Sequence, residues 1–202
     1  MNYFEIMKHY ETCLQEHGDS HLGVDWPNVE DADIRYQVML DMLANPRNVL
    51  LDFGCGASGL YDYVQRQKHP AQYYGADISQ QFIDLSKRKY PSVEYYCLDI
   101  LKEPLPRNFD YIVCNGVFTE KLSLSQDEMW SFFTKVIKKL WTFTEKGLAF
   151  NVMSKYVDWE RDDLFHVCLK RLGQFLAENL NRRFVVRHDY GLYEFTTYVY
   201  KN

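Results

Sequence analysis

Three observations predict an α/β fold in which a mainly parallel sheet is covered by helices on both faces. From about Asn48 onward, short apolar runs alternate with amphipathic stretches. The run Val49-Leu50-Leu51-Asp52-Phe53 enters a turn holding Gly54, Gly56 and Gly59 and then a helical pattern. No repeat, low-complexity segment or linker interrupts this order, so residues 1–202 are expected to form one domain. With 47% hydrophobic and 25% charged residues, that domain has enough apolar surface to bury a core.

Each element has a local reason. Residues 1–45 read as a helical cap, Tyr3–Glu16 and Asp31–Leu43, broken at Gly18-Asp19-Ser20 and Trp26-Pro27. This cap either closes over a ligand cleft as a lid or packs on the sheet; residues 46–202 form the core. Val49–Phe53 reads as the first strand and Leu60–Gln67 as a helix. Tyr73–Ala76 is the second strand, and Ser79 N-caps a helix over Gln80–Lys89. Val93–Cys97 and Tyr111–Cys114 are the third and fourth strands. Ser125 and Glu128 make a capping box for a helix with Met129, Phe132, Phe133, Val136, Ile137 and Leu140 on one face. Gly147 punctuates before the fifth strand, Leu148–Val152, and a helix runs from about Phe165 to Leu180. Phe184–Arg187 and Glu194–Tyr200 complete seven strands. Their connection is too short for a parallel crossover, so the last strand is antiparallel.

Composition narrows the function. A net charge of -5 and no long Lys/Arg block argue against a nucleic-acid partner. Lys87-Arg88-Lys89 ends a helix, where cations suit the dipole. No apolar run reaches the ~20 residues of a membrane span, and the N-terminus lacks a signal-peptide pattern. Five scattered cysteines suggest neither a disulfide framework nor a metal site, which points to the cytoplasm. The 16 tyrosines are numerous enough for some to line a cleft.

In an open parallel sheet, ligands bind beyond the carboxyl ends of the strands. Those ends carry Asp52 and the glycine turn, then Asp77, Asp99 and Asn115. Gly54, Gly56 and Gly59 spell G-x-G-x-x-G, and Asp77 lies at a spacing that suits a dinucleotide ribose. Against a nicotinamide cofactor, Asp52 would stand close to the pyrophosphate, and Asp99 would have no task.

Leu51-Asp52-Phe53-Gly54-Cys55-Gly56, Gly75-Ala76-Asp77, Leu98-Asp99-Ile100 and Phe109-Asp110-Tyr111-Ile112-Val113 resemble the class I S-adenosylmethionine-dependent methyltransferases. The resemblance spans Val49 to Val152 and implies a Rossmann-like core that binds S-adenosylmethionine and releases S-adenosylhomocysteine. It places Gly54 and Gly56 against the methionine part, Asp77 on the ribose and Asp99 on the adenine amine. Asp52, Cys55, Ile78, Ile100 and Asn115 complete the expected core set. Trp26 and Arg35 join it if the cap is a lid, with Arg35 on the methionine carboxylate. The family pattern puts a third glycine where this chain has Ser58, which fits if the backbone there has ordinary dihedrals.

The acceptor side is thinner. Asn115-Gly116-Val117-Phe118 shares only its Asn with the Asn-Pro-Pro-Tyr of amino-directed relatives, and Phe118 is expected to wall the pocket. Glu120 is either a base or a solvated loop acid, and Arg161 is placed for an anionic substrate. His188, His166 and Tyr156 are the candidate catalytic residues, since an imidazole titrates near neutrality and suits proton removal from a hydroxyl. The reading is methyl transfer to a small polar metabolite, at a hydroxyl oxygen. A NAD(P)-dependent oxidoreductase and a non-catalytic S-adenosylmethionine-binding protein are the alternatives. Oligomeric state is not legible.

Overall fold

A computed structural model describes residues 3–26, 28–43 and 47–201. Pro27, half of the predicted Trp26-Pro27 break, lies outside them. The cap consists of α1 (Phe4–His17), a 3-10 turn (Leu22–Val24) and α2 (Val29–Leu40). The core follows as β1 (Val49–Phe53), α3 (Gly59–Arg66), β2 (Gln72–Asp77), α4 (Gln80–Lys89), β3 (Glu94–Cys97) and β4 (Phe109–Cys114). It continues with α5 (Gln126–Trp141), β5 (Thr144–Ser154), β6 (His166–Val167), α6 (Leu169–Asn179), β7 (Phe184–Arg187) and β8 (Glu194–Tyr200).

The sheet order is β3-β2-β1-β4-β5-β8-β7, with β6 paired to the end of β5. β1 to β5 are parallel, while β8 runs antiparallel to both β5 and β7. β1 sits between β2 and β4, so the order of strand addition reverses there and opens a crevice above the strand ends. Successive strand residues face opposite ways and build two cores. Leu51, Ile112 and Phe150 pack under α5 and α6, whereas Leu50, Val113 and Ala149 pack under α2 and α3.

Both capping predictions hold: the Ser125–Glu128 box is complete, and Ser79 accepts from the Phe82 amide. Several boundaries differ from expectation: α2 runs Val29–Leu40 rather than Asp31–Leu43, β4 starts two residues early, and two further differences have a visible cause. Phe165–Val167 is extended rather than helical, because the His166 ring is held between the Ser154 carbonyl (2.6 Å) and the Arg161 amide (3.1 Å). β5 also starts earlier than predicted, so Gly147 lies inside the strand. A Cβ there would sit 2.7 Å from Met42 and 3.0 Å from the Tyr111 ring, so the glycine serves close packing.

Candidate active site

The turn after β1 is shaped by backbone that approaches its neighbours closely. Gly54 and Gly56 have φ of 76° and 49°, the region open to glycine. The amides of Gly54 and Cys55 both donate to the Ala76 carbonyl, at 2.7 and 3.0 Å. A Cβ on Gly54 would lie 2.4 Å from a Val117 methyl. Ser58 does not keep ordinary dihedrals: its φ is 62°, so a serine occupies the left-handed position a glycine would favour. Its buried hydroxyl bonds the Tyr95 hydroxyl at 2.9 Å, which helps hold that conformation. Gly59 leaves space for the cap, because a Cβ there would lie 2.0 Å from the Tyr36 hydroxyl oxygen.

Three acids stand at the ends of β1, β2 and beyond β3. Burial pushes the Asp52 carboxyl up to about 7; the Tyr73 hydroxyl, donating at 2.7 Å, opposes this, and the charge of Asp77 adds to it. Asp77 accepts from the Gly56 amide and from the Ser79 amide, each at 2.9 Å, so one carboxylate ties the glycine turn to the start of α4. Burial raises its pKa, against the pull of those amides. Asp99 accepts from the Leu101 amide at 3.1 Å and the Tyr3 hydroxyl at 2.5 Å, with Lys102 at 3.2 Å.

These groups line one cleft of about 360 Å³. Of the residues expected at the cofactor, Asp52, Gly54, Cys55, Gly56, Asp77, Ile78, Asp99, Ile100, Asn115 and Trp26 are on its wall. Arg35 is not. Its Nε lies 3.0 Å from Glu194, its guanidinium sits 5.1 Å from the Trp26 ring, and its Nη1 is buried without a hydrogen-bond partner among the described residues. The cap closes the cleft from above with Tyr3, Ile6, Met7 and Tyr10 of the α1 region, followed by Val24, Trp26 and Tyr36. Their i, i+3, i+4, i+7 spacing was a readable signal for one face of α1, and sequence reasoning passed over it. Glu11 ties α1 to the start of α4 by accepting from the Ser79 hydroxyl (2.5 Å), and the Tyr10 hydroxyl donates to the Gly116 carbonyl (3.4 Å).

At the acceptor end, Asn151 organises the loop after β4. It accepts from the Gly116 amide at 2.8 Å and donates to Asn115 (3.3 Å) and Glu194 (2.9 Å). The three catalytic candidates are not brought to this place. His166 is buried with both ring nitrogens engaged, while His188 and Tyr156 are exposed with their rings 6.4 Å apart. None of the three lines the cleft; His21 is the histidine that does, among the described residues. Phe118 lies fully buried against Phe133 rather than on the cleft wall. Glu120 is buried, not solvated; desolvation pushes its carboxyl up to about 7, with Asp25 and Asp163 adding to it. Arg161 pairs with Asp163 at 2.5 Å. Among the described residues, no helix is long and apolar enough to cross a membrane.

The residues fit the expected cofactor. Asp77 and Asp99 face one cleft from adjacent strand ends, and the glycine turn leaves bare backbone at the end of β1, on the other side of Asp77. Residues 51–140 match the family model described as a methyltransferase domain. The chain is 27% identical over 155 residues to a provisionally named methyltransferase of Mycobacterium tuberculosis, covering 74% of this chain and 91% of that protein. It is 29% identical over 82 residues to the malonyl-[acyl-carrier protein] O-methyltransferase of Acetivibrio thermocellus, covering 40% of this chain and 29% of that one. The fold superposes on the S-adenosylmethionine-bound magnesium protoporphyrin IX methyltransferase of Synechocystis with a TM-score of 0.67 at 15% identity, covering 100% of this chain and 98% of that one. Motif set, matched domain and shared architecture agree: residues 51–140 form a methyltransferase domain, and the chain is similar in sequence and fold to S-adenosylmethionine-dependent methyltransferases.

Proposed function

We propose that the methyl acceptor is a small polar metabolite and that the methyl group goes to oxygen. The observation that carries this is the size and closure of the cleft: about 360 Å³, roofed by α1, has to receive cofactor and acceptor together. S-adenosylmethionine, when bound, supplies an electrophilic methyl group on a sulfonium. The chain's own residues orient it: Asp77 retains acceptor capacity for ribose hydroxyls, and Asp99 for the adenine amine. The roof from Tyr3 to Tyr10 and Trp26 excludes water and aligns the acceptor beside Asn115 and Gly116.

The sequence favoured a hydroxyl acceptor with a histidine base. The cleft wall favours an oxygen already anionic at neutral pH, such as a carboxylate. Burial pushes the Tyr10 and Tyr36 hydroxyls upward, so both stay protonated and neither serves as base. Arg35 lies behind the wall rather than on it; its unpartnered Nη1, against the lining residue Trp26, would suit a carboxylate only if that layer opens to the cleft. One relative is named as an O-methyltransferase.

The test has two stages. Calorimetry is expected to detect S-adenosylhomocysteine and not NADH; the reverse result would remove the cofactor assignment. Release of S-adenosylhomocysteine is then followed across panels of small carboxylates, hydroxyl compounds and amines. Turnover with carboxylates, retained in His188→Ala, supports the anionic oxygen. Turnover confined to hydroxyl compounds and abolished in His188→Ala restores the base reading, and turnover confined to amines or macromolecules overturns the proposal.

A further inference from the structure

A second group of chemically active side chains lies in the cap and plays no part in the cofactor assignment. His9 and Cys13 are one turn apart on α1, so they project from the same helix face. Asp25 meets them from the residue that closes the 3-10 turn, with a left-handed φ of 57°. That turn is pressed against the end of α1: a Cβ on Gly23 would lie 2.0 Å from the Gly18 carbonyl oxygen. The result is a short closed loop that delivers Asp25 to the helix. Its Oδ2 is 2.7 Å from His9 Nε2, Cys13 Sγ is 3.9 Å from the same nitrogen, and all three atoms lie within 4.8 Å of one another.

We propose that His9, Cys13 and Asp25 form a site for one zinc-class divalent cation, with the fourth position open to water. One imidazole, one thiolate and one carboxylate are the donors a borderline-soft, tetrahedral ion takes. Zinc bonds of about 2.0–2.3 Å in a tetrahedron separate ligand atoms by roughly 3.3–3.6 Å. The nitrogen and oxygen therefore move apart slightly and the sulfur closes in, which asks for side-chain rotation and no change of fold. The surroundings are acidic: Glu120 is buried nearby, and the charges of Asp25 and Asp163 act on it, opposed by His9 and Arg161. As the metal–sulfur bond forms, the Cys13 thiol proton leaves to the buffer, the His9 Nε2 lone pair and an Asp25 carboxylate oxygen complete the protein ligands, and no electron is transferred. The ion would staple α1 to the turn leading to Trp26, the two pieces that roof the cleft. The sequence hid this site because its three residues follow no metal motif, and Asp25 arrives only through the turn.

Cobalt and zinc are the probes, added to the full chain after chelator treatment. We expect one equivalent of Co2+ with a near-ultraviolet thiolate-to-cobalt band, displaced stoichiometrically by Zn2+. The band is lost in Cys13→Ser, binding weakens at least 10-fold in His9→Gln, and both are unchanged in Cys97→Ser with Cys168→Ser. Free zinc at about 100 times its Kd raises the unfolding midpoint by roughly 5–10 °C in the wild type and not in Cys13→Ser. No band in the wild type, or a band that survives Cys13→Ser, overturns the proposal. If Cys13→Ser does not fold, the wild-type spectrum and the His9→Gln affinity decide. These readouts do not involve turnover, so failure here leaves the methyl-transfer reading standing.

Discussion

The cap and the sheet edge form opposite walls of one cleft, and they are built by different means. On the sheet side, the glycine turn is held by paired backbone amides, by Asp77 and by a core in which α5 alone buries five apolar residues. On the cap side, α1 buries only Ile6 and is tied down by single side-chain contacts: Tyr3 to Asp99, Glu11 to Ser79, Tyr10 to Gly116. Backbone pairing over a packed core makes an address that stays in place without ligand. Isolated polar contacts over a thin apolar seam open at lower free energy. The sheet wall is therefore expected to be the more stable of the two, and the cap wall to show the faster hydrogen exchange.

That contrast can be broken most severely where the two walls are joined by charge. Arg35→Ala strands the buried carboxylate of Glu194 and is expected to destabilise the fold by about 3–5 kcal/mol in denaturant unfolding. Adding Glu194→Gln is expected to return part of the loss. On the sheet side, Asp52 binds a proton more tightly when folded, its pKa standing near 7 against an ordinary 3.8. Its stabilising contribution is complete below about pH 4 and is lost as pH rises through 7. Asp52→Asn should therefore flatten the decline of unliganded stability from pH 4 to 8 and gain about 2–4 kcal/mol at pH 8.

Smaller effects sharpen the same distinction. Asp77→Ala removes the proposed ribose acceptor and unties Gly56 from α4, so S-adenosylhomocysteine affinity should fall about 100-fold in calorimetry. Gly59→Ala drives a methyl into the Tyr36 hydroxyl and should destabilise by about 1–3 kcal/mol. Combined with Tyr36→Phe it should recover most of that loss, since alanine suits a first helical turn. Tyr3→Phe loosens one lid contact and should change affinity by only a few-fold while speeding hydrogen exchange in α1 more than in β1.

The sheet wall was legible because its causes are local. Val49–Phe53, the Ser79 cap and the Ser125 box are each written within a few residues, and Asp77 and Asp99 follow from strands that end where apolar runs end. The cap wall was not, because its causes lie far apart in the chain. Arg35 meets Glu194 across 159 positions and Tyr3 meets Asp99 across 96. His166 reads as the start of a helix until the Ser154 carbonyl, twelve residues earlier, holds it in a strand. Ser58 departs from the family's glycine, and its left-handed backbone shows only in three dimensions. Residue type alone nominates His166 and His188 as bases, and type says nothing about which side of a loop faces the cleft.

The placing of β8 also bears on how the chain is made. Glu194–Tyr200, made after β7, does not add to a finished edge; it enters between β5 and β7. Until it emerges, the eleven-residue β5 offers an unpaired and largely apolar edge to any neighbouring strand. Five parallel strands and their helices thus wait in a state open to misassembly, and the final strand seals them from inside the sheet. Slowing synthesis just before Glu194 should therefore be more harmful to yield than slowing it at the turn between β2 and α4, even though that turn lines the cleft.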